Sequence, residues 1–211
     1  LSLHDALPIF GIIITSPIML IIAIAVKAYD RGPVFYFQDR LTLGGKPFKI
    51  CKFRSMCVDS EKNGARLASK HDSRITPVGH VLRNLHLDEL PQLFNVFKGD
   101  MSLVGPRPER ESIMLEYEKE LPEFYYRLKV KAGLTGYAQV YGKYNTTPYD
   151  KLKLDLFYIE NYSFLLDIKL IFMTVKIFFQ KEVSEGVDDR QVNALKDSGK
   201  NAGVSENKTE E

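Results

Sequence analysis

Residues 6–26 read ALPIFGIIITSPIMLIIAIAV, a stretch of 21 residues without a charged side chain. As a helix rising 1.5 Å per residue it would be about 30 Å long, enough to cross a bilayer. It lacks the basic start and the small-residue cleavage site of a secretory signal. The stretch therefore predicts a membrane-embedded helix, which makes residues 1–27 a region of their own; the first eight residues carry no weight in this assignment.

Pro17 lies in the middle of this stretch and follows Thr15 and Ser16. A proline removes one helical hydrogen bond, and the two hydroxyls can bond the carbonyls that are released. The residues alone allow two geometries: a kinked helix that spans the membrane, or a re-entrant helix that bends back at Ser16-Pro17. Basic residues follow soon after, at Lys27 and Arg31, so the positive-inside tendency places the rest of the chain in the cytoplasm.

The charge of the chain is uneven. Its net charge is +2, yet residues 184–211 hold seven acidic and four basic side chains, so the remainder is moderately basic. This balance suits an anionic substrate or a membrane surface and does not indicate nucleic acid. Cys51 and Cys57 lack a zinc-site spacing and predict free thiols in a reducing compartment. The four histidines show no metal-binding spacing either.

Several local signals predict the folded region, residues 28–183. Runs rich in aromatic and β-branched residues flank Gly44-Gly45 and predict a β-hairpin. A polar loop is expected at 59–75. Thr76 and Pro77 then begin a helix that should end or kink near Leu90, because Pro91 disfavours helical geometry there. The further predictions are a short helix ending at Lys98-Gly99, a turn-rich SLVGPRPE loop, helices at 109–120 and 122–129, and a glycine-punctuated loop KAGLTGYAQV that leads into a short strand or turn.

Residues 149–180 are also predicted to be helical. Lys169 and Lys176 share one face of a very apolar segment, which favours a helix lying in a membrane interface over the alternative, a core helix. Residues 184–211 are polar and poor in aromatic residues, so a disordered tail is expected.

Asp88-Glu89 is the first candidate site. Two adjacent carboxylates diverge by about 100° on a regular helix, but they can converge at a helix end distorted by Pro91. Such a pair could hold Mg²⁺, or one acid could attack while the other binds the metal. Most acidic pairs are simply solvated. Here the pair lies between Leu87 and Leu90, where idle charge would be costly.

Basic side chains supply the second candidate site. Pro106 and Pro108 stiffen the backbone around Arg107, whose guanidinium suits a pair of phosphate oxygens, although a solvated surface turn is an equal alternative. Lys52 and Arg54 share one strand face, which is either a phosphate-facing edge or simply the solvent face of the hairpin. Further candidates for phosphate or nucleotide contact are Arg83 before the acidic pair, and Lys131, Thr135 and Gln139 in a glycine-rich loop that matches no P-loop or dinucleotide fingerprint.

Three motifs, KFRSM, LDELPQLFNVFKGDMSLVGPRPE and KAGLTGYAQVYGKYNTT, closely resemble the bacterial sugar transferase family, the monotopic phosphoglycosyl transferases. The resemblance covers about residues 9 to 180. It implies an α+β, mostly helical fold with a membrane-embedded re-entrant helix broken at Ser16-Pro17, a small β-hairpin, and amphipathic interfacial helices around an active site on the cytoplasmic face of the bacterial inner membrane.

The resemblance also implies a reaction. A sugar 1-phosphate moves from a UDP-sugar to polyprenyl (undecaprenyl) phosphate with release of UMP, as the first membrane step of a cell-surface glycan that downstream glycosyltransferases extend. By motif, Asp88 is the expected nucleophile, Glu89 the expected Mg²⁺ ligand, and Arg107 a substrate-phosphate contact; Lys52, Arg54, Arg83 and Gln139 are weaker assignments.

Two other classes remain as alternatives. A membrane-anchored UDP-sugar sensor or scaffold would need the same anchor and arginines but not both acids. A metal-dependent glycosyltransferase that releases UDP usually has an Asp-x-Asp motif, which this sequence lacks. The sequence does not indicate which sugar is used.

Overall fold

The computed structural model describes residues 3–60, 72–142 and 146–178. It confirms the mostly helical α+β fold with a small hairpin and an apolar N-terminal helix. Part of the loop predicted at 59–75, and all of the tail predicted at 184–211, lie outside the described residues. The helices are α1 (Leu3–Asp30), α2 (Pro77–Asn84), α3 (Gln92–Lys98), α4 (Glu111–Glu120), α5 (Tyr137–Tyr141), α6 (Pro148–Asn161) and α7 (Phe164–Phe178). The strands are β1 (Phe35–Leu41), β2 (Pro47–Phe53), β3 (Ser102–Val104) and β4 (Gly133–Thr135), and 3-10 turns cover Leu43–Gly45, Leu87–Glu89 and Pro122–Lys129.

Strands β1 and β2 form the predicted hairpin. They pair antiparallel over their full length, from Phe35 opposite Phe53 to Leu41 opposite Pro47. Gly44 and Gly45 both have positive φ, at 67° and 74°. Since residues other than glycine rarely adopt this backbone conformation, the two glycines make the tight reversal of the hairpin possible. The hairpin thereby presents β2, which carries Lys52, to the rest of the domain.

Helix α2 begins as predicted but ends earlier. The Thr76 hydroxyl accepts a hydrogen bond from the Gly79 backbone N–H at 2.9 Å, the expected N-cap. The helix stops at Asn84 rather than near Leu90, because His86 adopts a left-handed conformation with φ of 52° that no α-helix continues. A 3-10 turn over Leu87–Glu89 then leads into α3, which ends, as predicted, at a left-handed Gly99.

A second, parallel pair of strands was not predicted. β3 occupies the start of the expected SLVGPRPE loop and pairs with β4, with Ser102 opposite Gly133 and Val104 opposite Thr135. Three-residue strands carry too little pattern to be recognised in a sequence. The helix predicted at 122–129 is a 3-10 helix, and the helical region predicted at 149–180 is divided into α6 and α7.

The break predicted at Ser16-Pro17 is not observed: helix α1 continues through Pro17 without interruption. Pro17 lacks an N–H, so the carbonyl of Ile13 one turn earlier loses its helical partner. The Ser16 hydroxyl donates to that carbonyl at 2.8 Å, and the Thr15 hydroxyl donates to Gly11 at 2.7 Å. The predicted rescue of the released carbonyl is therefore confirmed for the Ser16 hydroxyl, whereas the Thr15 hydroxyl bonds a carbonyl that Pro17 does not release. From Leu7 to Asp30 the helix is long and apolar enough to cross a bilayer.

One face of α1 packs on the domain while the other is exposed. Met19, Ile22 and Val26 are buried together with Phe53 of β2 and Leu82 of α2. The opposite face exposes large apolar side chains: Phe10, Ile13, Ile14, Leu20, Ile21 and Ile24. The end of α1 is fixed by Arg54, whose guanidinium donates to both carboxylate oxygens of Asp30 at 2.6 and 2.5 Å.

Helix α7 combines both predicted alternatives. Leu170 is fully buried in a cluster with Val104 and Tyr158, as in a core helix. The outer side exposes Leu165 and Phe172, which are 78% and 71% accessible. Exposed aromatic and aliphatic side chains on α1 and α7 together form an extensive apolar surface, which is typical of contact with a membrane.

We expect Gly79→Ala to destabilise the domain strongly. A Cβ at Gly79 would lie 1.9 Å from the backbone carbonyl oxygen of Ser55, and backbone cannot move aside cheaply. Overpacking of this kind costs about 1–3 kcal/mol. Thermal unfolding in detergent should show a Tm several degrees lower. His80→Ala, at an exposed position of the same helix, is the matched control and should leave Tm nearly unchanged; equal Tm values for the two variants would contradict the close packing of α2 on Ser55.

Candidate active site

The acidic pair lies on a turn that is anchored to the membrane helix. The left-handed His86 reverses the chain after α2, and Asp88 and Glu89 occupy the 3-10 turn that follows. Leu87 and Leu90, on either side of them, pack against the cluster that contains Met19 and Ile22 of α1. These two leucines therefore anchor the turn against the α1 cluster, and the two carboxyl groups lie on the side of the turn away from that cluster.

Glu89 is bound by two cations from distant parts of the chain. Its Oε1 accepts from Lys52 Nζ and from Arg107 Nη2, both at 2.7 Å, and its Oε2 accepts from Arg107 Nη1 at 3.3 Å. Burial by itself would raise the pKa of Glu89. Arg107 and Lys52 outweigh burial and hold the pKa well below its usual range. Glu89 is thus a carboxylate at any physiological pH.

Asp88 has the opposite environment. Among the described residues, none donates a hydrogen bond to its carboxyl group within bonding distance. Burial and the neighbouring negative charge of Glu89 raise the pKa of Asp88, and the charges of Lys52 and Arg83 offset this only in part. When adjacent carboxyl groups have pKa values shifted in opposite directions, they are suited to different chemical roles.

The loop that presents Arg107 is fixed on the parallel strand pair. The Gly105 N–H donates to Thr135 at 2.8 Å, and the Gly133 N–H donates to the Pro106 carbonyl at 2.9 Å. Gly105 and Gly133 lie so close that a Cβ on Gly133 would be 2.1 Å from the Gly105 nitrogen. This close approach explains why glycines are needed in both motifs, and it fixes where the stiff Pro106–Arg107–Pro108 segment leaves the sheet.

A buried ionic network holds the same loop from its other side. Arg127 donates to the backbone carbonyl of Arg107 at 3.0 Å and pairs with Asp155 at 2.7 Å; these two charged side chains are only 2% and 1% exposed. Glu109 contacts Arg127 at 3.4 Å and also binds Lys151. Lys151 and Arg127 outweigh burial and lower the pKa of Glu109 to about 2.

Arg40 of β1 completes this arrangement. Its guanidinium donates to the Pro108 carbonyl at 3.1 Å and lies 3.9 Å from Glu109. Sequence reasoning did not identify Arg127, Asp155, Glu109, Lys151 or Arg40 as functional. The one available signal was Glu109, which directly follows Pro108 in the recognised motif; the others come from elements whose approach depends on the tertiary fold.

The structure brings together some of the residues predicted for the site. Lys52, Glu89 and Arg107 are in direct contact, Asp88 is adjacent, and Arg83 is close enough to influence the charge of Asp88.

The other predicted residues have different partners. Arg54 binds Asp30, the Thr135 hydroxyl bonds that of Thr174 at 2.6 Å, and the Gln139 amide donates to Leu134 at 3.2 Å. The Lys131 ammonium lies near Gly99 at the end of α3. The predicted substrate contacts of these four side chains stay predictions.

The donor set at this turn fits part of a magnesium site. The described residues contain no cluster of three or more acidic, histidine or cysteine side chains. Mg²⁺ in nucleotide sites is commonly held by one or two carboxylates, with substrate phosphates and water completing the shell. Asp88 and Oε2 of Glu89, the less strongly bound oxygen, are the protein ligands this chain could offer.

Comparison with known proteins assigns these motifs to a family. The sequence profile of the family described as "Bacterial sugar transferase" matches residues 3–181. A UDP-N-acetylgalactosamine-undecaprenyl-phosphate N-acetylgalactosaminephosphotransferase from Aeromonas hydrophila is 44% identical over 174 residues, which cover 81% of this chain and 40% of that protein. A UDP-glucose:undecaprenyl-phosphate glucose-1-phosphate transferase from Klebsiella pneumoniae is 46% identical over 78% of this chain and 36% of its own length.

The chain thus spans about two fifths of the length of these curated relatives. The uncharacterized sugar transferase EpsL of Bacillus subtilis (strain 168) is 41% identical, and there the match covers 85% of both chains.

We expect Glu109→Gln to destabilise the protein at neutral pH, because Arg127 and Lys151 lose a charged partner. The pKa of Glu109 is about 2 in the folded protein, below the value of about 4.3 for an unfolded glutamate. Stability from this carboxylate is fully present above the unfolded pKa and is lost as the pH falls through the folded pKa. Urea titrations in detergent should therefore show the difference between wild type and E109Q shrinking from about pH 4.3 down to pH 2.

Glu116→Gln provides the matched control, since Glu116 is exposed on α4. Its free energy of unfolding should follow that of the wild type throughout. A difference between wild type and E109Q that does not depend on pH would show that the charge of Glu109 has no part in holding the loop.

Proposed function

The chain belongs to the bacterial sugar transferase family, as its motifs predicted, and we propose that it transfers a sugar 1-phosphate from a UDP-sugar to polyprenyl phosphate. Undecaprenyl phosphate is the acceptor named for the relatives from Aeromonas and Klebsiella. The observation that carries the proposal is the acidic pair: Glu89 is held by Lys52 and Arg107, while Asp88 beside it has a raised pKa and no cation bound to it among the described residues.

Asp88 is the proposed nucleophile. A carboxylate whose basicity is raised by burial and by a neighbouring negative charge is a better nucleophile than an ordinary aspartate, provided that the phosphate it attacks is neutralised. Lys52 and Arg107 are within reach of an incoming diphosphate, because both already lie at Glu89. A phosphate that draws these cations toward itself would also weaken their hold on Glu89.

The proposed reaction has two displacement steps. In the first, an Asp88 carboxylate oxygen bonds to the phosphorus that bears the sugar, the bond from that phosphorus to the bridging oxygen breaks, and UMP leaves. In the second, an oxygen of polyprenyl phosphate attacks the same phosphorus and Asp88 is released as a free carboxylate. The product is a polyprenyl diphosphate sugar, and the enzyme returns to its initial state. Steps of this kind depend mainly on positioning and on charge stabilisation.

Glu89 and Asp88 are the residues that would hold Mg²⁺. When bound, the ion would supply charge neutralisation at the diphosphate. Arg107, carried on the loop fixed by Arg127 and Arg40, is proposed to contact a substrate phosphate through its guanidinium fork.

We further propose that α1 is re-entrant and that the catalytic region lies on the cytoplasmic face of the inner membrane. Contacts between α1 and the domain extend along the helix: Gly11 approaches Leu93 of α3, and Val26 packs with Phe53. A helix that crossed the membrane alone would leave its domain after a turn or two. Contact over about 22 Å, from Gly11 to Val26, supports a helix that stays with the domain. The lipid product would then be available to downstream glycosyltransferases on the same face.

The covalent intermediate gives the most direct test. Purified protein in detergent is mixed with Mg²⁺ and UDP-sugars carrying a labelled sugar, without a lipid acceptor. We expect about one equivalent of UMP and a sugar-phosphate mass adduct on the peptide that contains Asp88. Adding polyprenyl phosphate should remove the adduct and make UMP release catalytic.

Asp88→Asn should abolish both the adduct and turnover, whereas Asp100→Asn, at an acid outside the pair, should retain both. Turnover by D88N without an adduct would exclude Asp88 as the nucleophile. Binding of UDP-sugar with no UMP release from the wild type, across a panel of UDP-sugars, would favour the scaffold or sensor alternative.

The membrane arrangement is tested by labelling cysteines at the two ends of α1. In a Cys51→Ser, Cys57→Ser background, Leu3→Cys and Tyr29→Cys are treated with a membrane-impermeant maleimide in inverted and in right-side-out vesicles. A re-entrant helix predicts that both positions react only in inverted vesicles, as does Lys119→Cys, the marker for the catalytic region. Reaction of the two ends from opposite sides would show a spanning helix.

A further inference from the structure

An apolar cavity of about 440 Å³ lies between the two membrane-facing helices, away from the acidic pair. Its walls include Leu7 of α1, Leu103 of β3, Val130, and Ile168 and Ile171 of α7. Ligand pockets commonly have this size and consist mainly of apolar side chains with a few polar groups at fixed positions. The proposed reaction makes no use of this cavity.

The border of the cavity carries two lysines. Lys129 and Lys131 both line it and are exposed. Val130 between them has an extended backbone, with φ of −127° and ψ of 165°, so the two lysine side chains leave the same side of the chain. The Lys129 ammonium also lies over the Tyr126 ring, 4.4 Å from its centre.

The acid in the cavity wall is turned toward the protein. Asp167 is buried, and its Oδ1 accepts a hydrogen bond from the Tyr158 hydroxyl at 2.8 Å. The exposed charged side chains that line the cavity are thus the two lysines, which give its border a positive charge. An apolar space with positive charge at its edge matches a ligand with a hydrocarbon chain and an anionic head.

The surroundings of the cavity indicate where such a ligand would come from. Phe164 lines the cavity and is 49% exposed, and Leu165 and Phe172 are exposed on the same helix. On α1, Phe10 and Ile13 follow Leu7 with exposed apolar side chains. The cavity is therefore continuous with the surface that would contact lipid chains.

Lys131 is too far from Asp88 to hold a phosphate that reacts there. Lys131 lies near Gly99, after the C-terminal end of α3, whereas Asp88 precedes the N-terminal end. Seven helical residues separate the two by about 10 Å or more. A phosphate at the lysines is thus a different phosphate from the one attacked in the proposed reaction.

We propose that this cavity binds one acyl chain of an anionic bilayer phospholipid, with the phosphate of that lipid at Lys129 and Lys131. The bound lipid would fill the space between α1, β3 and α7 and hold the membrane helix against the domain. The site goes beyond the proposed reaction, and its test involves no UDP-sugar and no turnover, so either proposal can fail independently of the other.

Native mass spectrometry of the detergent-solubilised protein tests the site. The protein is titrated with phosphatidylglycerol or with phosphatidylcholine of identical chains. We expect one retained phosphatidylglycerol, bound more tightly than phosphatidylcholine. Lys131→Glu should lower the affinity for phosphatidylglycerol by at least about fivefold per charge removed, since a lysine near an anionic lipid contributes about 1 kcal/mol. Lys119→Glu, an exposed lysine on α4, should keep the wild-type preference.

A second pair of variants tests the cavity itself. Ile168→Trp would place a bulky ring in it and should reduce retention of both lipids, while Phe172→Trp, on the exposed side of the same helix, should not. Equal retention of both lipids that is unaffected by Lys131→Glu would overturn the proposal, as would an I168W variant that folds normally and keeps the lipid. Stoichiometric displacement of phosphatidylglycerol by polyprenyl phosphate would instead assign the cavity to the acceptor chain and would equally overturn it.

Discussion

The carboxylate of Glu89 joins three segments that are far apart in the chain. Lys52 comes from the hairpin, Glu89 from the turn after α2, and Arg107 from the loop after β3. Glu89 is only 17% exposed, and a largely buried charge that loses its partners is destabilising, so this contact requires all three segments to be in place together. Other contacts keep these segments in position. Arg127 and Arg40 fix the Arg107 loop, and the leucines beside the acids fix the turn to α1.

The same contact is well suited to an anionic substrate. Two cations close together repel each other, and an internal carboxylate compensates for that repulsion while no phosphate is bound. When a diphosphate enters, Lys52 and Arg107 can exchange one anion for another with little movement. In the proposed reaction this exchange would also leave Glu89 oxygens available for a metal ion. The pKa shifts of the pair are the electrostatic consequence: the cations hold the pKa of Glu89 down, while burial and the adjacent charge raise that of Asp88.

The features that could be predicted from the sequence are those with local causes. Gly44-Gly45 at the hairpin turn, Thr76 as N-cap and Gly99 at the end of α3 each follow from the conformational preference of one or two residues. The end of α2 at Asn84 was missed because it depends on a left-handed histidine, and sequence patterns rarely indicate such a residue.

The parallel strands and the Arg127–Asp155 pair were missed for a different reason. Their partners are 28 or more positions apart, so the approach of α6 to the Pro106–Arg107–Pro108 loop exists only in the folded chain. The acidic pair was recognised because its motif was recognised, and the roles of its two members still rest on the environment that the fold creates around each carboxyl group.

That environment includes the membrane helix. Leu87 and Leu90 pack on the cluster that holds Met19 and Ile22, so the depth of α1 in a bilayer would set the height of Asp88 above it. A lipid phosphate is confined to the headgroup region and could reach a nucleophile only at that level. The apolar residues beside the two acids, which first argued against idle surface charge, would therefore also place Asp88 where the proposed acceptor phosphate is found.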